Sequence, residues 1–291
     1  VISLAESQNL FAPLVKYLLM ARQVNQRDTD IDGELVYAYA HTDRLDELED
    51  FINEPNQADI QKAGDRCYEE RLFEAAKILY TSIGHNQKLA STLVFLKDYQ
   101  AALEAAKKAN IPKVWKEVAF ACVRSQEFRL AAIAGQKIVI HPDNLDDLVQ
   151  YYEKFGYFQE CTNLLESSLG LERAHVGIYT ELGVLYAKYD PERLMDHIRT
   201  YAQKINIPKL IRACAKWHMW EETVFLYAQY EEFDNAVLTM MEHSPSCWRH
   251  DLFVQNILKV ANQDLFYRAM IFYLEEQPML VNDLLKLLAM K

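Results

Sequence analysis

Residues 220–240 read WEETVFLYAQYEEFDNAVLTM. Two short faces sit back to back in this stretch. Trp220, Thr223, Val224 and Tyr227 stand at i, i+3, i+4 and i+7, and Phe233, Ala236, Val237 and Met240 repeat the spacing. Residues at these intervals share one side of an α-helix. The stretch therefore reads as two amphipathic helices joined by a short turn around Tyr230–Glu232.

The same face recurs along the chain. Tyr99/Ala102/Leu103/Ala106 and Phe266/Ala269/Met270/Tyr273 are clear copies. Looser ones start at Phe11, Phe128 and Phe158. Phe73 and Leu45 open copies with Lys77 and Glu49 in one slot, and Pro191 stands where an aromatic usually does. With Phe233 set aside, these anchors fall at 11, 45, 73, 99, 128, 158, 191, 220 and 266. The steps are 34, 28, 26, 29, 30, 33, 29 and 46, the last holding the extra helix at Phe233. Two helices and two turns take about 30 residues.

The segments before the anchors are helical too. Val114, Val118, Ala121 and Cys122 line one face, and Leu145, Leu148, Val149 and Tyr152 another. Pro112, Pro142, Pro208 and Pro245 precede periodic runs, where a missing N–H costs nothing. Gly84, Gly156 and Gly170 follow such runs, as helix C-caps would. The anchor+3 position is often Ala, Cys or Thr, which lets a partner helix approach, while the aromatic fills the gap between hairpins. The expected fold is all-α: an α-solenoid, a right-handed superhelix of stacked antiparallel helix hairpins of about 30 residues each. It is expected to run as a single continuous solenoid over 1–291, without a separate globular domain. The tetratricopeptide signature is absent.

Composition agrees. The chain has 291 residues, with eight Gly and eight Pro. Average usage would give about 20 and about 15. All-β folds need many such turn residues, and no glycine-rich phosphate-loop motif occurs. Apolar residues make up 51%, enough for a large core. The length exceeds the roughly 250 residues at which single cores stop growing, which suits a repeat array. A net charge of −11 disfavours nucleic acid. Cys67, Cys122, Cys161, Cys214 and Cys247 form no C-x-x-C pair and read as buried reduced thiols. No apolar run is long enough to span a bilayer. The chain starts at Val1 and stays helical in pattern up to Lys291, so it reads as an internal piece of something longer.

Several collinear strings carry a resemblance. They are KVWKEVAFACV (113–123), EFRLAAIAG (127–135), LGLERAH (169–175), NIPKLIRA (206–213), ETVFLYAQYEEFDNAVLTMMEH (222–243) and YLEEQPMLVNDLL (273–285). Over residues 60–291, and more loosely before, the chain resembles the clathrin heavy chain family, as a divergent member. It is most similar to the proximal leg just before the trimerisation hub. The resemblance implies a stiff leg of helical hairpins, a heavy-chain trimer joined through a hub outside this segment, and a polyhedral coat on vesicles. It also implies cytoplasmic localisation at coated pits and vesicles, with clathrin light chains and other legs as partners. The adaptor-binding β-propeller and the hub lie outside the segment.

No catalytic residue, cofactor or metal site is expected. None of the eight histidines falls in an H-E-x-x-H pattern. His243 and His250 are candidates for pH-sensitive contacts between legs. The acidic run Asp43, Asp46, Glu47, Glu49, Asp50 and Glu54 reads as a solvated helix face, or as a contact with a basic patch on a neighbouring leg.

Two basic stretches stand out, KKANIPKVWK (107–116) and IRTYAQKINIPKLIRACAKWH (198–218), neither with an acid. Each has Ile-Pro-Lys at an inter-hairpin turn and a tryptophan nearby. Cations and aromatics on a solenoid edge suit an acidic amphipathic helix, and the resemblance supplies the light chain as its source. Lys113, Lys116, Lys209, Arg212, Lys216 and Trp217 are the expected contacts. The bland alternative puts the lysines on turns and Trp115 and Trp217 in the core. The other functional reading is a helical-repeat adaptor or scaffold that binds peptides of other trafficking proteins.

Overall fold

A computed structural model describes residues 2–24, 28–173 and 175–289. Among these residues there are 21 α-helices, two short 3₁₀ turns and no strand. The chain packs as two compact units that meet in sequence between Ile138 and Val139. Within each unit, consecutive helices are neighbours: Asn86–Phe95 packs on Tyr99–Ala109, and Trp220–Gln229 on Phe233–Glu242. This is an α-solenoid of helix hairpins.

The hairpin turn has one recurring form. Asn9, Asp43, Arg71, Lys97, Gln126, Gly156, His218 and Glu231 all have φ between 50° and 77°, in the left-handed region. Each sits two residues before a helix, which then starts at the anchor: Phe11, Leu45, Phe73, Tyr99, Phe128, Phe158, Trp220 and Phe233. The backbone bonds repeat as well. Arg71 N–H donates to the Tyr68 carbonyl at 3.1 Å, and Leu72 N–H to the Cys67 carbonyl at 2.8 Å. Lys97 and Asp98 bond in the same way to Val94 and Leu93, and His218 and Met219 to Ala215 and Cys214. This pair of bonds is the Schellman motif, which satisfies carbonyls that a helix end would otherwise leave open. Gly84, at φ 67°, makes the same turn between Phe73–Ser82 and Asn86–Phe95.

Two anchors depart from the pattern, each for a local reason. Pro191 disfavours helical backbone in the residue before it. Asp190 accordingly takes φ −145°, and the chain turns through a 3₁₀ segment, Pro191–Arg193. At Phe266 the helix begins earlier, because the Asn262 side chain caps the Asp264 N–H at 3.0 Å and starts it at Gln263. Gly170 also differs from its expected role. It does not adopt positive φ. Pro112 and Pro142 open their helices as expected.

Anchor rings meet the last turn of the helix that follows. Phe11 stacks on His41 at 4.0 Å, Phe73 on Phe95 at 4.8 Å, Phe158 on Tyr189 at 4.0 Å and Trp220 on His243 at 3.5 Å. At Phe233 the partner is the Lys259 ammonium, 4.6 Å from the ring. These rings do fill the gap between hairpins. The small anchor+3 residues Ala76, Ala102, Ala131, Cys161, Thr223, Ala236 and Ala269 are all buried, as close helix approach requires. The five cysteines are free and buried, and burial holds each thiol up, to about 12 at Cys67, Cys161 and Cys214.

A left-handed backbone costs a non-glycine residue roughly 1 kcal/mol. Lys97→Gly and Gln126→Gly should each raise the urea midpoint, by about 0.5–1 kcal/mol of stability. Gly156→Ala should lower it by a similar amount. Equilibrium urea unfolding of the three variants checks the signs.

Candidate partner-binding surface

The two basic stretches lie in different units. In the first, Ile111 is extended at φ −107°, and Pro112 opens the helix Pro112–Arg124. Lys113, on the first turn, is exposed. Lys116 is half-buried, with its ammonium 5.6 Å from the Phe120 ring. Trp115 is a core residue at 3% exposure, and its indole N–H has no hydrogen-bond partner among the described residues.

In the second stretch the helix Ile207–Lys216 is capped by Asn206, whose side chain accepts from the Lys209 N–H at 3.1 Å. Leu210, Ile211 and Cys214 form its buried face. Lys209, Arg212 and Lys216 follow at i, i+3 and i+7 and so share the outer side. Arg212 and Lys216 are exposed. Trp217 ends the helix at 37% exposure, so it lies outside the core.

Lys209 behaves differently from the other two cations. Its ammonium donates to the Glu181 carboxylate and lies 3.6 Å from Asp146. Glu181 is only 8% exposed, and burial raises its pKa against the pull of Lys209. Burial alone would lower Lys209, yet the bond to Glu181 leaves it raised. Lys209 is thus the counter-ion of a buried acid rather than a free surface charge.

The structure adds residues that the two basic stretches did not reveal. Three first helices in this unit end in a lysine–aromatic pair: Lys154-Phe155, Lys188-Tyr189 and Lys216-Trp217. In each pair the ammonium lies over its neighbour's ring, at 6.0, 4.8 and 5.7 Å. Lys188 also reaches the Trp217 ring at 5.9 Å and bonds to Glu153 at 2.9 Å, and the Tyr189 hydroxyl donates to Glu153 at 3.2 Å. Lys188 thus joins Tyr189 and Trp217 into one group of rings and cations, and Lys154 with Phe155 repeats the pair one hairpin earlier. Lysine at a helix C-terminus is favoured by the dipole, and cation–ring contact holds it in place. The signal in the sequence was the dipeptide recurring at 34 and 28 residues.

His243 and His250 are engaged within the chain. His243 lies flat on Trp220, and His250 bonds the Tyr273 hydroxyl at 3.0 Å. Among the described residues no group of His, Cys, Asp and Glu is placed to hold a metal, and no helix is long and apolar enough to cross a membrane.

The hairpin register and the anchor stacks describe a repeat, and comparison with known proteins identifies it. The family model described as "Clathrin: Region in Clathrin and VPS" matches residues 1–130 and 137–281. The chain belongs to the clathrin repeat family. It is 54% identical over 291 residues to clathrin heavy chain 2 of Oryza sativa subsp. japonica, covering 100% of this chain and 17% of that relative. With clathrin heavy chain 2 of Homo sapiens the identity is 51% over 289 residues, 99% of this chain and 18% of the relative. With the clathrin heavy chain of Drosophila melanogaster it is 50% over 289 residues, again 99% and 17%. The chain thus spans less than a fifth of the length of the relatives it matches.

The helix Leu194–Tyr201 packs beside Gly177–Tyr189 and carries a buried histidine. His197 is buried and its Nε2 donates to the Tyr179 carbonyl at 2.7 Å. Burial lowers its pKa below 6.5, outweighing that bond. The folded form therefore holds fewer protons than the unfolded form in this range. The stability from neutral His197 is complete above pH 6.5 and is lost as pH falls through the lowered folded value. A His197→Gln variant should show a flatter loss of stability between about pH 7 and 5.5 in thermal melts.

Charge reversal separates the two kinds of cation. Lys209→Glu should lower stability by about 1–3 kcal/mol, because it leaves Glu181 buried without its partner. Solvent around the partly exposed ammonium keeps the loss below that of a fully buried pair. Arg212→Glu with Lys216→Glu should stay within about 0.5 kcal/mol of the parent. Urea titration of both variants makes the comparison.

Proposed function

We propose that this chain is a non-enzymatic structural segment of a clathrin coat, a stretch of heavy-chain leg from the proximal region. In this reading residues 1–291 form one continuous solenoid, and the leg acts as a stiff rod on the cytosolic face of coated pits and vesicles. Many weak side contacts between legs sum to a lattice, which suits an assembly that must also come apart. Self-association with other heavy chains and binding of a light chain are its expected interactions.

The finer part of the proposal is a light-chain platform. The observation that supports it is the exposed group Arg212, Lys216 and Trp217, with the half-buried Lys188 beside the Trp217 ring. An acidic amphipathic helix laid on this edge gains ion pairs from the cations and apolar contact from the rings. Lys113 and Lys116 offer a second basic site on the other unit. Lys209, on the same side of the helix, is already paired with Glu181 and leaves the partner contacts to Arg212 and Lys216.

Titration of the chain with purified clathrin light chain tests the platform. Arg212→Glu, Lys216→Glu and Trp217→Ala together should weaken binding by about tenfold or more, and Lys113→Glu should weaken it less. Unchanged affinity in the triple variant, with an unchanged melting curve, overturns the platform.

A further inference from the structure

In a stack of hairpins each repeat touches its neighbours only. Two side-chain clusters reach further. Arg66, on Ile60–Glu69, bonds Glu34 of Thr29–His41 at 3.1 Å and Glu6 of Ile2–Ser7 at 2.7 Å. Lys209, on Ile207–Lys216, bonds Glu181 of Gly177–Tyr189 and lies 3.6 Å from Asp146 of Pro142–Phe155. Each cation joins the first helices of three successive hairpins, and its outer acid lies two hairpins back. Each cluster lies within one compact unit. By contrast, Asp65 with Lys88 and Ser91 with Glu117 join first helices one hairpin apart.

Both clusters set two carboxylates from separate helices against one cation. Burial raises the pKa of each middle acid, Glu34 and Glu181, and the outer acid's charge adds to the rise against the pull of the cation. Without the cation the two like charges would push their helices apart. The Arg66 guanidinium is held over the middle helix, 3.4 Å from the centre of the Tyr37 ring. Packed helices stand about 8–10 Å apart, so a straight row puts the outer two about 16–20 Å apart. Side chains reach about 5–6 Å from a helix axis. Contact across two hairpins therefore requires the row to bend toward its first-helix side.

We propose that the Arg66 and Lys209 clusters are curvature clamps: each holds three hairpins in a bend toward their first helices, and releases the bend when the cation is screened or the outer acid is lost. Each attraction is small at a partly exposed site. It acts across two hairpin interfaces at once, where small changes of angle add up. A solenoid clamped in this way can change its curvature while the apolar packing between neighbouring hairpins stays intact. The clamps belong to the chain alone, so their test needs no partner and its outcome is independent of light-chain binding.

Nitroxide labels on Lys154→Cys and Lys216→Cys, equivalent positions two hairpins apart, read the span by pulsed electron paramagnetic resonance of the 291-residue chain. Both sites are exposed, and the native thiols are buried. At low salt Asp146→Asn should lengthen the mean distance by about 1–2 Å and broaden its distribution. Asp146→Glu should keep the parent distance. Salt at about 0.5 M should lengthen the parent and leave Asp146→Asn little changed. Asp143→Asn, at an exposed acid one turn earlier, should change nothing. Labels on Ser3→Cys and Glu69→Cys read the Arg66 clamp, where Glu6→Gln should act as Asp146→Asn does. Asp146 is exposed and its loss leaves the bond between Lys209 and Glu181 in place, and circular dichroism melts verify the fold of every variant. Unchanged distributions in Asp146→Asn or in Glu6→Gln, an equal change in Asp143→Asn, or a parent insensitive to salt overturns the proposal.

Discussion

Each of these hairpins hangs on one residue held in a backbone conformation that L-amino acids resist. At eight turns the residue two before the anchor lies in the left-handed region, and at seven of them it is not glycine. The turn holds because two backbone bonds close over it and the next helix starts at once, with its anchor ring pinned on a helix one hairpin further along. An isolated hairpin with this turn would leave its apolar face open to water. Stacking covers that face and keeps the strained residue in place, so local strain and long-range packing stabilise each other.

Charge is laid out as unevenly as the turns are regular. Residues 1–70 hold 15 acids against six bases, a charge of −9, while the other 221 residues hold 27 against 25, a charge of −2. Much of the acid in the first part is tied into networks. Arg66 alone meets Glu6 at 2.7 Å, Glu34 at 3.1 Å and Glu70 at 3.7 Å, and covers the Tyr37 ring. In the nearly neutral remainder, small local groups decide the sign of a surface. Arg212 with Lys216 makes one patch positive, and Glu242, Glu275 and Glu276 make another negative.

The helix faces were legible because burial is periodic: Trp220, Thr223, Val224 and Tyr227 all point inward or to a neighbour, as their spacing demands. The turns were legible in place but not in chemistry. Glycine shortage excluded other folds correctly, and glycine marked two of the turns, at Gly84 and Gly156, but not the seven made by other residues. A Schellman turn needs backbone bonds more than it needs a missing Cβ, and Arg71, Lys97 and Glu231 supply those bonds as well as Gly156 does. The basic stretches were legible as charge but not as roles. Lys209 and Arg212 look alike in sequence, and what separates them is Glu181, 28 residues away and buried. Trp115 and Trp217 likewise share a context of lysines and take opposite places, one in the core and one at the edge.

In a repeat protein the register itself becomes the reference for finding function. Inward positions are constrained by packing, so Ala at anchor+3 or an aromatic at the anchor says only that the solenoid continues. Outward positions carry no such demand, and polar residues such as Asp46 or Gln100 fill them by default. Information lies where an outward position departs from its siblings. The lysine–aromatic pairs at the ends of three first helices are such a departure. Tyr189 still packs on the anchor Phe158, whereas Phe155 and Trp217 leave apolar surface in water that no packing of their own hairpin requires.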